Sequence, residues 1–531
     1  MDDGANRSAW LRACSREELE RSGRRLFRAG AKQIVLFATA KGLRACNNRC
    51  PHEGYPLSEG TLDSDCRLTC NWHNWKFDLD DGANLYGGDR LRTYPVALRG
   101  SDVWVDVSDP PARQRQAEAL AHLRDAFADK EYDRIARDLV RLKQAGGELT
   151  DAMAAAVLWS HDRLEFGWTH AYAGAADWLA LADEAGTDTE RALVAILEAM
   201  THIAEDSLRE PQFGYGEESL PFDEASFLAA IERQDEAGAL ARLRGGLDRG
   251  LGFAEFEPAL SRAALAHYID FGHLLIYVVK CGRLIERLGR RVERPLLLAL
   301  VRGIAYAARE DLIPEFRGYA KALARFGADA VRPLDRAALS KAGIGPALDL
   351  VAAAGASPPL ELYAALLGVN AERLLNFDLA FDNRNDKPVV DNANWLDVTH
   401  GITFANAVRL QCGKFPALWP AGLLQLACHA GRNLGFTDPK QDPARWRVSD
   451  ADDFFETEIA ALFDHGIEEE IVAVHRLKTL LAAREEWRAG AAGEDAPRLL
   501  AAVNRYLHEP IKGRHPRRTA RQAMAFVARE S

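Results

Sequence analysis

The sequence has few cysteines and lacks a long apolar run. Eight cysteines in 531 residues are too few for a disulfide framework. No apolar stretch reaches the roughly eighteen residues that suggest a transmembrane helix, and the N-terminus lacks the apolar core of a signal peptide. We therefore expect a cytoplasmic protein that is not inserted in a membrane.

Positive charge and nucleotide-binding motifs are also scarce. The chain has 67 Lys and Arg against 78 Asp and Glu, a formal net charge of -11, and its basic run is confined to residues 514–521. Nucleic-acid binding needs a basic face, so no nucleic-acid partner is expected. A Rossmann glycine motif after a strand, a Walker A motif and a Gly-x-Ser-x-Gly elbow are all missing, which argues against a built-in nucleotide domain or a serine hydrolase.

The residue pattern changes near residue 110. The first hundred residues contain short alternating strand candidates, such as 33–37 and 103–107, separated by glycines. Beyond Asp109-Pro110-Pro111 the chain is rich in Ala, Leu, Arg and Glu with helical periodicity. We predict a small antiparallel β domain at 1–108, a linker at 109–116 and a large all-α, catalytic domain at 117–531 that contains repeated helical hairpins.

Two short motifs near residue 60 combine cysteine with histidine. Cys50-Pro51-His52 is followed, after seventeen residues, by Cys70-Asn71-Trp72-His73. Two Cys and two His are the ligands of a Rieske [2Fe-2S] centre, in which each iron takes one type of ligand. Zinc also accepts this ligand set. Zinc fingers, however, place their two cysteines together in one segment and their two histidines together in another, whereas each loop here supplies one cysteine and one histidine. The spacing favours an iron–sulfur cluster held by Cys50, His52, Cys70 and His73, with Cys46 and Cys66 as bystanders.

The segment at about 8–108 resembles the Rieske domain of bacterial ring-hydroxylating oxygenases and their ferredoxins. The likeness rests on the two ligand motifs, on Leu57-Ser58-Glu59-Gly60, and on Trp75, Phe77 and Asp78. It implies a separate electron donor, an NAD(P)H-dependent reductase or a ferredoxin. One departure is Asn74, where the family usually has glycine. Positions 55 and 72 are Tyr and Trp, so the extra cysteines of high-potential Rieske proteins are missing, which predicts a potential toward roughly −150 mV.

The usual catalytic domain of those oxygenases is not expected after residue 108. Its iron site includes an Asp-x2-His-x4-His run in a β-rich domain. The segment from Asn394 to His400 starts in a similar way, with Asp397 three residues before His400, but residue 405 is Ala and the surroundings are helical. A different acceptor for the electron is therefore needed.

The helical region instead carries histidines at matching places in four candidate helix pairs. The first helices contain His170, His273, His400 and His475, and the second helices follow about thirty residues later. Two copies add a carboxylate, Asp270 before His273 and Asp397 before His400, and an i, i+3 spacing puts both side chains on one helix face. His-carboxylate pairs from several helices are how bundles hold iron. We predict a second, non-heme iron site from His170, Asp270, His273, Asp397 and His400.

Other interpretations stay open for these histidines. An Asp three residues before a His also fits the first turn of a helix, and histidines in helix pairs often serve the core. The segments 272–277 and 398–409 resemble questin-oxidase-like proteins, which implies ring-opening oxidation of a polycyclic substrate. The leading prediction is a Rieske-dependent oxygenase that uses O2 on a small organic substrate, aromatic if the resemblance holds. The alternatives are an electron carrier or redox sensor fused to a non-catalytic helical scaffold, and a reductase with a separately bound cofactor.

Overall fold

The computed structural model describes residues 9–207, 211–268, 272–309, 312–328, 332–438 and 441–529. The chain divides into two compact units, residues 1–152 and 153–531. The first unit carries three antiparallel sheets, and the second is helical apart from a pair of two-residue strands. This confirms the predicted fold class, a small antiparallel β domain followed by a large helical region.

The three sheets of the first unit are built from ten short strands, and one helix, α1, connects the first two strands. Three strands pair in the order β1-β10-β9, four in the order β2-β3-β4-β8 and three in the order β5-β6-β7. The elements are β1 Trp10–Ser15, α1 Arg16–Ser22, β2 Arg24–Ala29, β3 Lys32–Thr39, β4 Gly42–Asn47, β5 Thr61–Leu62, β6 Arg67–Thr69, β7 Lys76–Asp78, β8 Thr93–Tyr94, β9 Val96–Arg99 and β10 Asp102–Asp106.

Strand β3 separates two small cores because its side chains alternate between the faces of the sheet. Val35 and Phe37 pack into a core that also contains the two motif cysteines, Cys50 and Cys70. Ile34 and its neighbours on the other face pack against α1 and β10. One face of β3 thus contributes to the apolar core beneath the two ligand loops, which we call the apolar floor.

Helices α2 Ala112–Ala128, α3 Tyr132–Gln144 and α4 Leu149–Ser160 follow the sheets. Helix α2 begins inside the segment predicted as a linker. Arg137 and Arg141 on α3 both donate to Asp89, whose side chain is fully buried. Burial alone would raise the pKa of Asp89, but the two guanidinium groups hold it below its usual value. This ion pair ties α3 to the loop before β8.

The second unit contains the helices α5 to α22. They are α5 His170–Ala185, α6 Thr189–Ser207, α7 Glu224–Glu232, α8 Glu236–Asp248, α9 Phe253–Ala266, α10 His273–Leu288, α11 Glu293–Tyr306, α12 Tyr319–Ala324, α13 Arg336–Ser340, α14 Ile344–Ala353, α15 Pro359–Leu375, α16 Leu379–Asn383, α17 Trp395–Lys414, α18 Trp419–Asn433, α19 Ala451–Leu462, α20 Glu470–Arg488, α21 Ala496–His508 and α22 Pro516–Val527. Strands β11 His267–Tyr268 and β12 Ala308–Arg309 pair beside α10 and α11. No helix in the described ranges is both long and apolar enough to cross a membrane.

Four helix pairs correspond to the predicted hairpins. They are α5 with α6, α10 with α11, α17 with α18, and α20 with α21. The first helices of the pairs also pack on one another in a closed ring, α5 on α10, α10 on α17, α17 on α20 and α20 on α5. These four central helices form a bundle whose interior is lined by one helix from each pair.

Ion pairs show that the central helices run in the same direction. Lys280 on α10 pairs with Asp177 on α5, and each residue lies seven positions after the predicted histidine of its helix. Further along, Arg283 on α10 pairs with Glu485 on α20, each ten positions after its histidine. Equal offsets place His170, His273 and His475 at one level near the N-termini, and His400 on α17 joins them, 2.8 Å from His273. The positive ends of the helix dipoles converge there.

Candidate metal centres

The two ligand loops of the first unit have the same backbone hydrogen bonds. The amide of Cys50 donates to the carbonyl of Tyr55 at 2.8 Å, and the amide of Gly54 donates to the carbonyl of Cys50 at 2.8 Å. In the second loop Cys70 donates to Trp75 at 2.8 Å, and Asn74 donates to Cys70 at 2.9 Å. The loops are therefore two copies of one turn, each presenting one cysteine and one histidine.

The residue four positions after the cysteine of each turn has left-handed backbone geometry. Gly54 has a φ of 79° and Asn74 a φ of 60°. Glycine adopts this region without a steric penalty, and asparagine is among the few other residues that visit it routinely. The turn therefore explains why Asn74 can replace the glycine expected from the family.

The thiols and imidazoles of the loops differ in exposure. Cys50 and Cys70 are each 3% exposed, and burial raises the pKa of Cys50 to about 11. The side chains of His52 and His73 are 29% and 41% exposed, and their ring centroids lie 4.8 Å apart. A buried pair of thiols beside a partly exposed pair of imidazoles matches the mixed ligand set of a Rieske cluster.

Aromatic rings and one carboxylate surround the two imidazoles. His52 stacks on Trp75 with centroids 4.4 Å apart, and Tyr55 stacks on Trp72 at 4.2 Å. The Nδ1 of His73 lies 3.6 Å from a carboxylate oxygen of Glu53. The buried Nδ1 of His52 has no hydrogen-bond partner among the described residues, which leaves that atom available to a metal.

The other two cysteines near the loops do not join this group. Cys46 is fully buried in the core, where burial raises the pKa of its thiol. The Sγ of Cys66 lies 3.1 Å from the hydroxyl of Thr39. Their role as bystanders stays a prediction.

The second unit brings four histidines of the central helices together. His170, His273, His400 and His475 each offer a ring nitrogen, and these nitrogens all lie within 4.8 Å of one another. The Nε2 of His273 is 2.8 Å from the Nε2 of both His170 and His400. His273, His400 and His475 are buried and His170 is partly exposed. We call these residues the four-His cluster.

Hydrogen bonds to helix carbonyls orient two of these rings. The Nδ1 of His400 lies 2.6 Å from the carbonyl oxygen of Leu396, and the Nδ1 of His475 lies 2.6 Å from that of Ile471. A carbonyl oxygen only accepts, so both rings carry their proton on Nδ1 and present a lone pair at Nε2. The Nε2 of His475 is buried without a hydrogen-bond partner in the described parts of the chain. Two imidazole lone pairs thus point into one buried space, where a cation can accept both.

The surroundings favour neutral imidazoles. Burial lowers the pKa of His170, His400 and His475 well below the usual value, and Lys478 and the other imidazoles lower it further. Lys478, one turn after His475, is itself buried, which lowers its pKa to about 7. Neutral imidazole is the form that binds metals.

Of the two predicted carboxylate ligands, Asp397 does not belong to the four-His cluster. Asp270 lies outside the described residues. Asp397 closes the capping box of α17: its carboxylate accepts from the amide of Asn394 at 2.9 Å, and it lies 3.7 Å from Arg432. The predicted ligand list omitted His475, although the repeat pattern had already marked it as the histidine of the fourth helix pair.

Comparisons with known proteins concern the first unit. Residues 9–95 match the Rieske [2Fe-2S] domain. The ferredoxin subunit of a 3-phenylpropionate/cinnamic acid dioxygenase from Shigella boydii is 37% identical over 78 residues, which are 14% of this chain and 74% of that protein. A 4β-methylsterol monooxygenase from Methylococcus capsulatus is 36% identical over 91 residues, 15% of this chain and 24% of that protein. The chain thus spans about a quarter of the monooxygenase.

Among solved structures, the ferredoxin of carbazole 1,9a-dioxygenase from Nocardioides aromaticivorans IC177 is similar to the same region. It is 22% identical and covers 19% of this chain and 98% of that one, with a TM-score of 0.18.

Proposed function

Because the chain belongs through residues 9–95 to the Rieske [2Fe-2S] family, with relatives of the ring-hydroxylating ferredoxin type, we propose that it is a two-site oxygenase. The two ligand loops of the first unit would hold a [2Fe-2S] cluster that supplies electrons, and the four-His cluster would hold a non-heme iron ion at which O2 would oxidise an organic substrate. The observation that carries this proposal is the convergence of four imidazoles, from four separate helices, on one point.

The ligands of the [2Fe-2S] cluster would be Cys50 and Cys70 on one iron and His52 and His73 on the other. The twin turns hold the four side chains in two equivalent loops, and the apolar floor keeps water from the thiols. The partly exposed imidazoles leave one end of the cluster open to an electron donor. When bound, the cluster supplies one-electron transfer.

The four-His cluster fits a metal ion by the chemistry of its donors. His400 and His475 direct lone pairs at Nε2 into a buried space, and the helix carbonyls that hold their Nδ1 protons keep the rings in that orientation. Iron bound by imidazoles can activate O2. Within the described residues the group contains four imidazoles and no carboxylate.

The distances between the histidines bear on the alternative function, an electron carrier fused to a scaffold. A scaffold of stacked helix pairs would place equivalent residues on separate repeats and faces. Here the equivalent histidines have ring nitrogens within 4.8 Å of one another, which favours a reactive centre.

An external reductase or ferredoxin would supply the electrons. The relatives of this family and the resemblance to questin-oxidase-like proteins favour an aromatic, polycyclic substrate.

Metal analysis of the full chain tests the proposal. We expect about three iron ions per chain, two of them in the cluster, together with the EPR signal of a reduced Rieske centre. The variant His400→Ala should retain the Rieske signal and lose the additional iron. Iron no higher than two per chain in the native protein, or zinc in the second site, would contradict an oxygenase.

A further inference from the structure

A line of buried polar side chains extends from the four-His cluster along the interior of the central bundle. Asp177, Lys280, Asn406 and Lys478 are between 1% and 6% exposed. They lie one to two turns beyond the histidines of their own helices. With Glu485 and Arg283, one turn further, they form what we call the polar column. Burying so many polar groups is costly, so their presence along a single path calls for an explanation.

The inner end of the polar column surrounds a small cavity. Lys280, Lys478, Thr403 and Asn406 line it. Lys280 donates to Asp177 at 2.5 Å, whereas the Nζ of Lys478 and the hydroxyl of Thr403 have no hydrogen-bond partner in the part of the chain that is described. The cavity has about the size that one water molecule needs, and unpartnered polar atoms around such a space are where ordered water is held.

The outer end of the polar column reaches solvent at Glu485. The amide of Asn406 donates to Glu485 at 3.0 Å, and Arg283 donates to both carboxylate oxygens at 2.9 and 3.0 Å. The side chain of Glu485 is 33% exposed. Asn406 therefore lines the cavity and also contacts the carboxylate of Glu485. Rotation of Glu485 or a bridging water can connect this carboxylate to the cavity.

The chemistry of O2 at a buried site requires such a path. Inserting one oxygen atom into a C–H bond and releasing the other as water consumes two electrons and two protons; without substrate, the same electrons and protons convert O2 to hydrogen peroxide. One electron comes from the reduced cluster and one from the ferrous ion. The protons must come from solvent, but His400 and His475 are only 3% and 2% exposed.

We propose that the polar column delivers protons from solvent to O2 at the four-His cluster, with Glu485 as the entry residue. This inference rests on the proposed function. Glu485 takes a proton from bulk water and passes it to water in the cavity, which Lys280, Lys478 and Thr403 hold in place. Asn406 and Arg283 position the carboxylate, and neither touches the reacting atoms.

The test uses the full chain, loaded with iron and reduced with dithionite. It is mixed with O2-containing buffer, and the return of the oxidised Rieske absorption is followed with time. Glu485→Gln should slow this reoxidation by about 100-fold, the lower end of the range for loss of a proton-transfer group. The slowing should grow in D2O, and Glu485→Asp should restore part of the rate. Unchanged thermal unfolding checks that the bundle is intact.

Glu184→Gln is the matched control. Glu184 forms an equivalent ion pair between two central helices, with Arg484, but it lies outside the polar column. Equal slowing by Glu184→Gln, or a native rate in Glu485→Gln, would overturn the proton path alone. If His400→Ala reoxidises as fast as the native protein, O2 does not react at the four-His cluster, and the proposed function fails with the path.

Discussion

The Nε2 atoms of His273 and His400 lie 2.8 Å apart, although the two residues are separated by 127 positions in the sequence. His400 keeps its proton on Nδ1, against the carbonyl of Leu396. Its Nε2 therefore approaches His273 with a lone pair, and the Nε2 of His475 approaches the same space in the same state. A cation bound between these nitrogens would stabilise the arrangement. Replacing each imidazole in turn therefore tests whether it binds the metal ion.

Replacing His475 should empty the second iron site. In His475→Ala we expect the affinity for the additional iron to fall by more than about 100-fold, beyond the loss typical of a second-shell residue. Iron titration followed by EPR measures this, and the Rieske signal should be unchanged. The control is His267→Ala, because His267 is equally buried and its Nδ1 also contacts a helix carbonyl, that of Ala263 at 2.9 Å. Equal iron loss in both variants would point to general unfolding instead.

Replacing one motif cysteine should remove the [2Fe-2S] cluster. Cys70→Ser is expected to abolish the visible absorption and the Rieske EPR signal, because a serine hydroxyl is a poor ligand for the iron. Cys66→Ser should keep both signals, since the sulfur of Cys66 already contacts a hydroxyl, that of Thr39. A cluster that survives in Cys70→Ser would contradict the ligand assignment.

The left-handed geometry of Asn74 predicts a ranking of substitutions. Asn74→Gly should preserve stability, because glycine adopts a φ near 60° freely. Asn74→Val should lower the free energy of unfolding by about 1–2 kcal/mol, the cost of this region for a residue with a bulky Cβ. Denaturant unfolding followed by the Rieske absorption measures both. Equal stability of the two variants would mean that the turn rearranges.

The role of Asp397 can be separated from metal binding. Its carboxylate caps α17, so Asp397→Ala should destabilise the protein by about 0.5–2 kcal/mol, as expected for loss of a helix cap. The iron content should stay at the native level. Loss of the additional iron would instead support the ligand role that its spacing from His400 suggested.

Acid should weaken the tie between α3 and the loop before β8. The guanidinium groups of Arg137 and Arg141 lower the pKa of Asp89 despite its burial. The stabilisation is therefore present above the ordinary pKa of an aspartate and disappears as the pH falls through the lower, folded value. Asp89→Asn should lose stability at neutral pH and show a flatter acid limb in unfolding curves. Parallel acid limbs for the two proteins would contradict the ion pair.

Local patterns in the sequence were enough to identify the family and the fold class. The ligand motif lies in two loops within twenty-four residues, so its spacing alone carries the chemistry, and alternating strands against helical periodicity separate the two parts of the chain. The matching histidines of four helix pairs were also visible as a repeat. Local spacing is enough for such features because they depend on neighbours along the chain.

Packing between the helices determines which histidines meet. Spacing along a helix shows which side chains share its face, but not which other helix that face contacts. The closed ring of α5, α10, α17 and α20 brings His475 to His170, His273 and His400, while the start of α17 turns Asp397 into a cap. The polar column depends even more on packing, because its members come from all four helices and share a path only when these run in the same direction.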